Sequence, residues 1–301
     1  MSFSVAIATH NRASDLEHTL AQLRRLDPWP TEILVCADGC SDRTVELVRE
    51  GFPECRLIEN ETTLGSVASR DRLMREAEGE LVLLIDDDSY PMEENFVALA
   101  RSVMRDAPEV AVLSFPQRTD EFPETLDQSN FGPSQQVASF ANSGALLRRS
   151  VYEQLPGFAK IFFHRYAEPD YVLQCMEAGY EVCLYTGLTI RHHTVPAMRD
   201  ELLTHHFHAR NECWSVLLRA PWWLVPPMIF CRACRQMTVA RRRGRLWIRR
   251  EPLWWREFVR GIGPLLRLRQ PVSFATYRAW LGLLRQPKER LTLGPTYARD
   301  S

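Results

Sequence analysis

Lysine is almost missing from this 301-residue chain: Lys160 and Lys288 are the only two among 37 basic residues. Its positive charge is therefore arginine, whose planar guanidinium suits bidentate phosphate binding, with base-composition bias as the plain alternative. No stretch reaches the roughly 20 apolar residues of a membrane span. Residues 220–240 come nearest, but Pro226-Pro227, Arg232 and Arg235 interrupt them, which argues against a spanning helix. The start Met1-Ser2-Phe3-Ser4-Val5 lacks a basic n-region and an apolar h-region. The expectation is a cytoplasmic protein without a secretory signal, its eight cysteines reduced. Cys231-x-x-Cys234 has no second Cys/His pair at ligand spacing, so it reads as an inert pair. Internal repeats and low-complexity tracts are also missing.

What is present is ordinary globular chemistry, 45% hydrophobic and 25% charged, enough to bury a sizeable core. One main domain with an appendage is the natural division. The net charge of −1 averages two unlike parts. Residues 1–218 hold 19 Lys+Arg against 34 Asp+Glu, while residues 219–301 hold 18 against 4. The two parts should meet different partners.

Short apolar runs at Phe3–Ala8, Glu32–Ala37, Cys55–Glu59, Leu81–Ile85 and Val110–Phe115 read as buried strands. Between them Ser14–Leu26, Ser41–Glu50, Ser66–Ala77 and Glu93–Arg105 have helical periodicity. This alternation predicts a parallel, doubly wound α/β sheet over residues 1–115. Glu121–Gln136 reads as a long loop. Beyond it Val137–Ala141, Ala145–Leu147, Val182–Tyr185 and Leu188–Arg191 are strand-like. Arg149–Leu155, Asp170–Ala178 and Arg199–Leu218 are helical, with Pro169 fitting the first position of the second of these. The tail mixes Trp222, Trp223, Trp247, Trp254, Trp255 and Trp280 with arginine. That composition fits either a segment lying in an anionic headgroup interface or a helical cap packed on the main domain.

Ligands of such sheets sit beyond the carboxyl ends of the strands. There the chain carries Thr9, Asn11 and Arg12; Asp38-Gly39; Asn60; and Asp86-Asp87-Asp88. Three adjacent carboxylates at a strand end repel one another, so they imply a cation or a cationic partner. In an extended segment Asp86 and Asp88 share a side and can bind a hard ion such as Mn²⁺ or Mg²⁺. Gly39 lets the backbone approach closely, and Arg70 offers charge for phosphate.

The order THNR, ADGCSD, Ser69-Arg70-Asp71, IDDD, NSGALLRRSVYEQLPGF and AEPDYVLQCMEAGY resembles the family 2 glycosyltransferases of the GT-A fold, over about residues 3–215. The resemblance implies an α/β GT-A domain, with a nucleotide-binding half at 1–115 and an acceptor half at 116–218, followed by a basic helical tail at 219–301. It implies that Thr9 and Asp38 contact the nucleoside and that Asp86 and Asp88 are the ends of a DxD motif serving ribose and metal. Asn142 and Gly144 would line the acceptor side of the donor sugar, and His192 and His193 would lie near the metal or diphosphate. The catalytic base falls on Glu168 or Asp170. The sequence departs from the family pattern at Ala37-Asp38, where two acidic residues are common, and at Ala167-Glu168.

The implied activity is inverting, metal-dependent transfer of a hexosyl or deoxyhexosyl group from a nucleotide-diphosphate sugar to a glycan or lipid-linked acceptor. The implied location is cytoplasmic or peripheral on the membrane. A sugar nucleotidyltransferase would need a glycine-rich loop after the first strand, and residues 9–14 contain no glycine. A non-catalytic sugar-nucleotide-binding module is the rival outside enzymes. Nucleic acid is the competing partner for the arginines, but a DxD-type site gives no reason for one.

Overall fold

The computed structural model describes residues 1–193, 200–290 and 293. The first half alternates β1 (Phe3–Thr9), α1 (Ala13–Leu23), β2 (Glu32–Asp38), α2 (Thr44–Gly51), β3 (Cys55–Asn60), α3 (Ser66–Glu76) and β4 (Leu81–Asp86). Then come β5 (Ser89–Pro91), α4 (Phe96–Asp106), β6 (Val110–Ser114), β7 (Gln117–Thr119), β8 (Gln135–Gln136), β9 (Ala145–Arg148) and α5 (Arg149–Gln154). The last third holds α6 (Ala167–Glu177), β10 (Glu181–Leu184), β11 (Ile190–His192), α7 (Glu201–Arg219), α8 (Val225–Arg243), α9 (Arg245–Leu268), α10 (Phe274–Arg285) and β12 (Lys288–Glu289).

Nine strands form one sheet in the order β12-β8-β10-β6-β9-β4-β1-β2-β3. β1 runs parallel to β2 and β4, and β6 parallel to β10, while β9 is antiparallel between β4 and β6. Side chains alternate across the pleat, so the central strands feed two cores. Val5, Ile7, Leu83 and Val35 pack with Leu16 and Leu20 of α1 and Phe96 and Met104 of α4. Ala6, Leu34 and Leu84 belong to the opposite core, which runs through Leu73 and Tyr171 to Trp214, Trp254 and Trp280. The tail helices thus extend the core of the α/β domain.

Three expectations are corrected. Val137–Ala141 is not a strand: Val137 N donates to Val182 O at 2.9 Å, but Trp280 Nε1 takes the Ala138 carbonyl at 2.9 Å, and pairing stops. Leu188–Arg191 does not extend the large sheet. Ile190–His192 instead forms the centre of a small sheet, antiparallel to β5 and parallel to β7. The helix expected from Asp170 starts at Ala167, after Tyr166 in the left-handed region. Pro169 is tolerated inside the first turn because helix N-terminal amides have no intrahelical acceptor. Of the helix expected over Arg199–Leu218, Arg199 lies outside the described residues.

Candidate active site

Asp86 ends β4, Asp87 and Asp88 form the turn into β5, and the small sheet brings β11 over that turn. Ligand atoms of Asp86, Asp88 and His192 consequently lie within 4.8 Å of one another. His192 Nδ1 is 3.2 Å from the Gln117 Oε1 acceptor, so Nδ1 carries the proton and Nε2 presents its lone pair. That lone pair faces Asp88 Oδ1 at 3.0 Å, and Asp88 Oδ1 makes no hydrogen bond among the described residues. Two acceptors at this separation require a cation or a second proton between them. Two carboxylates with an imidazole oriented from behind fit Mn²⁺ or Mg²⁺. Burial opposes ionisation of Asp88, but with that second proton on Nε2, His192 together with Arg12 outweighs it and holds the carboxyl below the usual carboxylate range.

Asp87 does different work. It turns inward, where Thr9 Oγ1 donates at 2.8 Å and Arg12 Nη1 at 2.6 Å, while Thr19 Oγ1 donates to its carbonyl at 2.8 Å. Burial, opposed by Arg12, pushes the Asp87 carboxyl up to about 7. Arg12 Nη2 reaches Asp88 Oδ2 at 2.8 Å. The structure therefore uses the side chains of Thr9, Arg12 and Asp87 to brace the acidic turn.

The second strand end is braced in the same way. Asp38 accepts from Asn60 Nδ2 at 2.8 Å and from the backbone amides of Leu64 and Gly65 at 2.9 Å each. Gly39 has φ +63°, and a Cβ there would lie 2.4 Å from Thr63 N. Only glycine fits. Asn11, also at positive φ, accepts from Ser41 N at 2.7 Å and Asp42 N at 3.2 Å. These residues hold the strand-end loops in register.

Opposite the acidic turn, Arg70 on α3 pairs with Asp86, and Asn142 Nδ2 donates to Glu168 Oε1 in the first turn of α6. Asn142 Oδ1 is buried without a partner among the described residues. Burial raises the Glu168 pKa, Arg70 lowers it, and Asp86 raises it further, so base candidate and acidic cluster share one electrostatic neighbourhood. Gly144 passes tightly under β11: a Cβ there would meet Ile190 Cγ1 at 2.6 Å.

Asp170 is not in the cleft. It is fully buried and accepts from Ser215 Oγ at 2.9 Å, Gln174 Nε2 at 3.0 Å and Arg219 Nη2 at 2.9 Å. No acceptor hydroxyl can reach it. His193, expected beside the metal with His192, faces the other way because successive residues of an extended chain alternate. Its ring packs against His18 and Tyr90, with centroids 4.7 and 5.9 Å apart, and burial lowers its pKa.

Sequence reasoning missed the residues that aim these groups. Phe163, Arg165 and Tyr166 all have positive φ immediately before α6. Asn211 Nδ2 on α7 clamps that bend, donating to the carbonyls of Phe162, His164 and Arg165 at 3.0, 2.7 and 2.9 Å. Gln117, Asn211 and Arg219 belong to no motif.

The fold and this site define a GT-A transferase architecture. Residues 4–176 match the model of glycosyl transferase family 2, and the chain belongs to that family. An uncharacterized glycosyltransferase of Bacillus subtilis, YwdF, is 24% identical over 187 residues, 58% of this chain and 68% of YwdF. Solved structures share the fold. S. aureus TarS 1–349 in complex with UDP-GlcNAc matches with a TM-score of 0.61 and 16% identity, over 89% of this chain and 84% of that one. The chain spans only 39% of the longer TarS chain. The mannosyltransferase PcManGT from Pyrobaculum calidifontis, in complex with GDP-Man and Mn²⁺, matches with a TM-score of 0.57 and 19% identity, over 94% and 84%.

Proposed function

We propose that the protein transfers a sugar, with inversion, from a nucleotide-diphosphate donor of UDP or dTDP type to a hydroxyl of a glycan or lipid-linked acceptor, in cell-surface glycan, polysaccharide or glycolipid synthesis. The observation that carries this reading is the pairing of Glu168 with the Asp86/Asp88/His192 cluster in one cleft, while Asp170 is sequestered. The UDP-GlcNAc bound by TarS 1–349 and the GDP-Man bound by PcManGT support a nucleotide-diphosphate sugar as donor.

Glu168 is the base. Ionised, it takes the proton of the acceptor hydroxyl as that oxygen attacks the anomeric carbon and the bond to the diphosphate oxygen breaks from the opposite side. Direct displacement inverts the centre without a covalent sugar intermediate. The Asn142 amide fixes the rotamer of the base, an orientation effect of the kind that lowers barriers. Arg70 lies beside Asp86, where its charge can face the leaving group. Asp86, Asp88 and His192 would hold Mn²⁺ or Mg²⁺, which when bound acts as a Lewis acid toward the departing diphosphate. Thr9, Asn11, Arg12, Asp38, Gly39 and Asp87 form the donor end of the site by shaping its loops.

Nucleotide diphosphate release across a panel of sugar nucleotides with Mn²⁺ or Mg²⁺ tests the reading. Release by the wild type, lost in Asp88→Ala and in Glu168→Gln, is expected. Donor binding without release, with lipid and glycan acceptors present, would instead identify a non-catalytic sugar-nucleotide-binding module.

A further inference from the structure

Among the described residues, twelve of the nineteen exposed large hydrophobic side chains lie between Trp222 and Leu284. The apolar surface is therefore concentrated where the positive charge is. On α9 it is organised into stripes. Trp254, Phe258 and Leu265 are buried, and Trp214 Nε1 of α7 donates to Phe258 O at 3.2 Å, which fixes the inner face. Ile248, Pro252, Trp255, Val259 and Leu266 recur at spacings of four, three, four and seven residues, a second apolar stripe on one helical face. With Met237 of α8, its first four residues line an open groove of about 840 Å³. Val259 is 61% exposed.

Charge follows the same order. Arg249, Arg256, Arg260 and Arg267 are exposed, each one residue beyond a member of that stripe and hence about 100° around the helix. None of the four has an ion-pair partner among the described residues. Both acidic residues of α9 face α7: Glu251 accepts from His205 at 2.8 Å, and Glu257 pairs with His206 at 3.0 Å and with Arg210 at 2.5 Å. Glu251 lies buried in the groove floor and Glu257 is tied to His206 and Arg210 at its edge, so the outer face is left apolar and predominantly cationic. No described helix is long and apolar enough to cross a membrane.

We propose that the α8–α9 face docks the protein on an anionic lipid bilayer. The Ile248–Leu266 stripe enters the headgroup boundary, and Arg249, Arg256, Arg260 and Arg267 extend to lipid phosphates. A second copy of the chain fits poorly, because it would oppose arginine with arginine. A nucleic acid would use the arginines and leave the apolar stripe in water.

Co-sedimentation of the full chain with phosphatidylcholine vesicles, with and without phosphatidylglycerol, tests this. Binding is expected only with phosphatidylglycerol and should weaken with salt. Changing the four arginines to glutamine should lower partitioning at least about a hundredfold. Val259→Asp with Leu266→Asp should lower it roughly tenfold or more with every arginine intact. These positions are exposed, and circular dichroism with thermal melting checks the fold; salt dependence of the wild type is an independent reading. Equal binding to both vesicles, or none, overturns the proposal. So does retention of the aspartate variant on vesicles as tightly as on polyphosphate, which indicates a polyanion site, or a wild-type dimer that vesicles do not compete away.

Discussion

The floor beneath α6 and the cleft above it are built from the same residue types and treat them oppositely. In the floor, Asp170 accepts from Ser215, Gln174 and Arg219, and Glu212 accepts from Arg232, Arg235 and Gln236. Every buried charge there has a fixed counter-charge. In the cleft, among the described residues, Glu168 has one side-chain donor, Asn142 Oδ1 has none, and Asp88 Oδ1 faces the His192 ring nitrogen. Since buried polar groups are normally satisfied, saturation marks the carboxylates that hold the structure, and incomplete satisfaction marks those left for ligands. Asp170 and Glu168 stand two residues apart in one helix turn. The contrast separates them where the sequence could not.

That contrast predicts opposite phenotypes. Glu168→Gln keeps shape and the Asn142 contact but cannot take a proton, so turnover should fall by about 10²–10⁴ with no lowering of the unfolding midpoint. Steady-state nucleotide release together with urea denaturation reads both, and turnover at wild-type level would move the base elsewhere. Asp170→Asn should do the reverse. It strands the Arg219 guanidinium in the interior, at a cost of about 3–5 kcal/mol in stability. If Asp170→Asn unfolds at the wild-type urea concentration, the floor is not held as described.

The central strands were legible because their apolar runs are continuous, and each begins or ends within a residue of the observed element; Cys55–Glu59 was placed correctly but is the half-exposed edge strand β3 rather than a buried one. Helix starts were less so, because local turns and tertiary contacts both shift them. Asp42 Oδ1 accepts from Thr44 N at 3.0 Å, delaying the helix expected from Ser41. Glu93 is drawn off by Thr189, whose hydroxyl donates at 2.7 Å, so α4 begins at Phe96 instead. The acidic turn and Glu168 were legible from residue type and order. Their supports were not: Gln117 meets His192 across 75 positions and Arg219 meets Asp170 across 49. No local pattern encodes contacts at that range. His193 failed for a simpler reason, since two adjacent histidines on an extended chain cannot face the same site.

A smaller effect sharpens the cleft side of the comparison. Gln117→Ala removes the acceptor that fixes the His192 tautomer, so Nε2 should face the acidic pair only part of the time. Metal affinity should drop about 10–100-fold, read by Mn²⁺ titration with electron paramagnetic resonance. Affinity within a factor of two of wild type would place His192 outside the metal's coordination.

The smallest expected effect lies in pH dependence. Burial, though opposed by Arg70, raises the Glu168 pKa above that of an ordinary glutamate. Below the unfolded pKa both states hold the proton, and Glu168 makes no difference to stability. Between the unfolded and folded values the native state keeps a proton that the unfolded chain has released, so stability falls as pH rises through that window and then stays lower. Glu168→Gln removes this loss. The variant should therefore gain stability relative to wild type as pH rises, while the acid limb of wild-type turnover sits above the ordinary glutamate range. Parallel stability curves for the two proteins from pH 4 to 8 would mean that the Glu168 carboxyl is solvated like a surface acid, and the difference between the unsaturated cleft and the saturated floor would then rest on Asp88 and Asn142 alone.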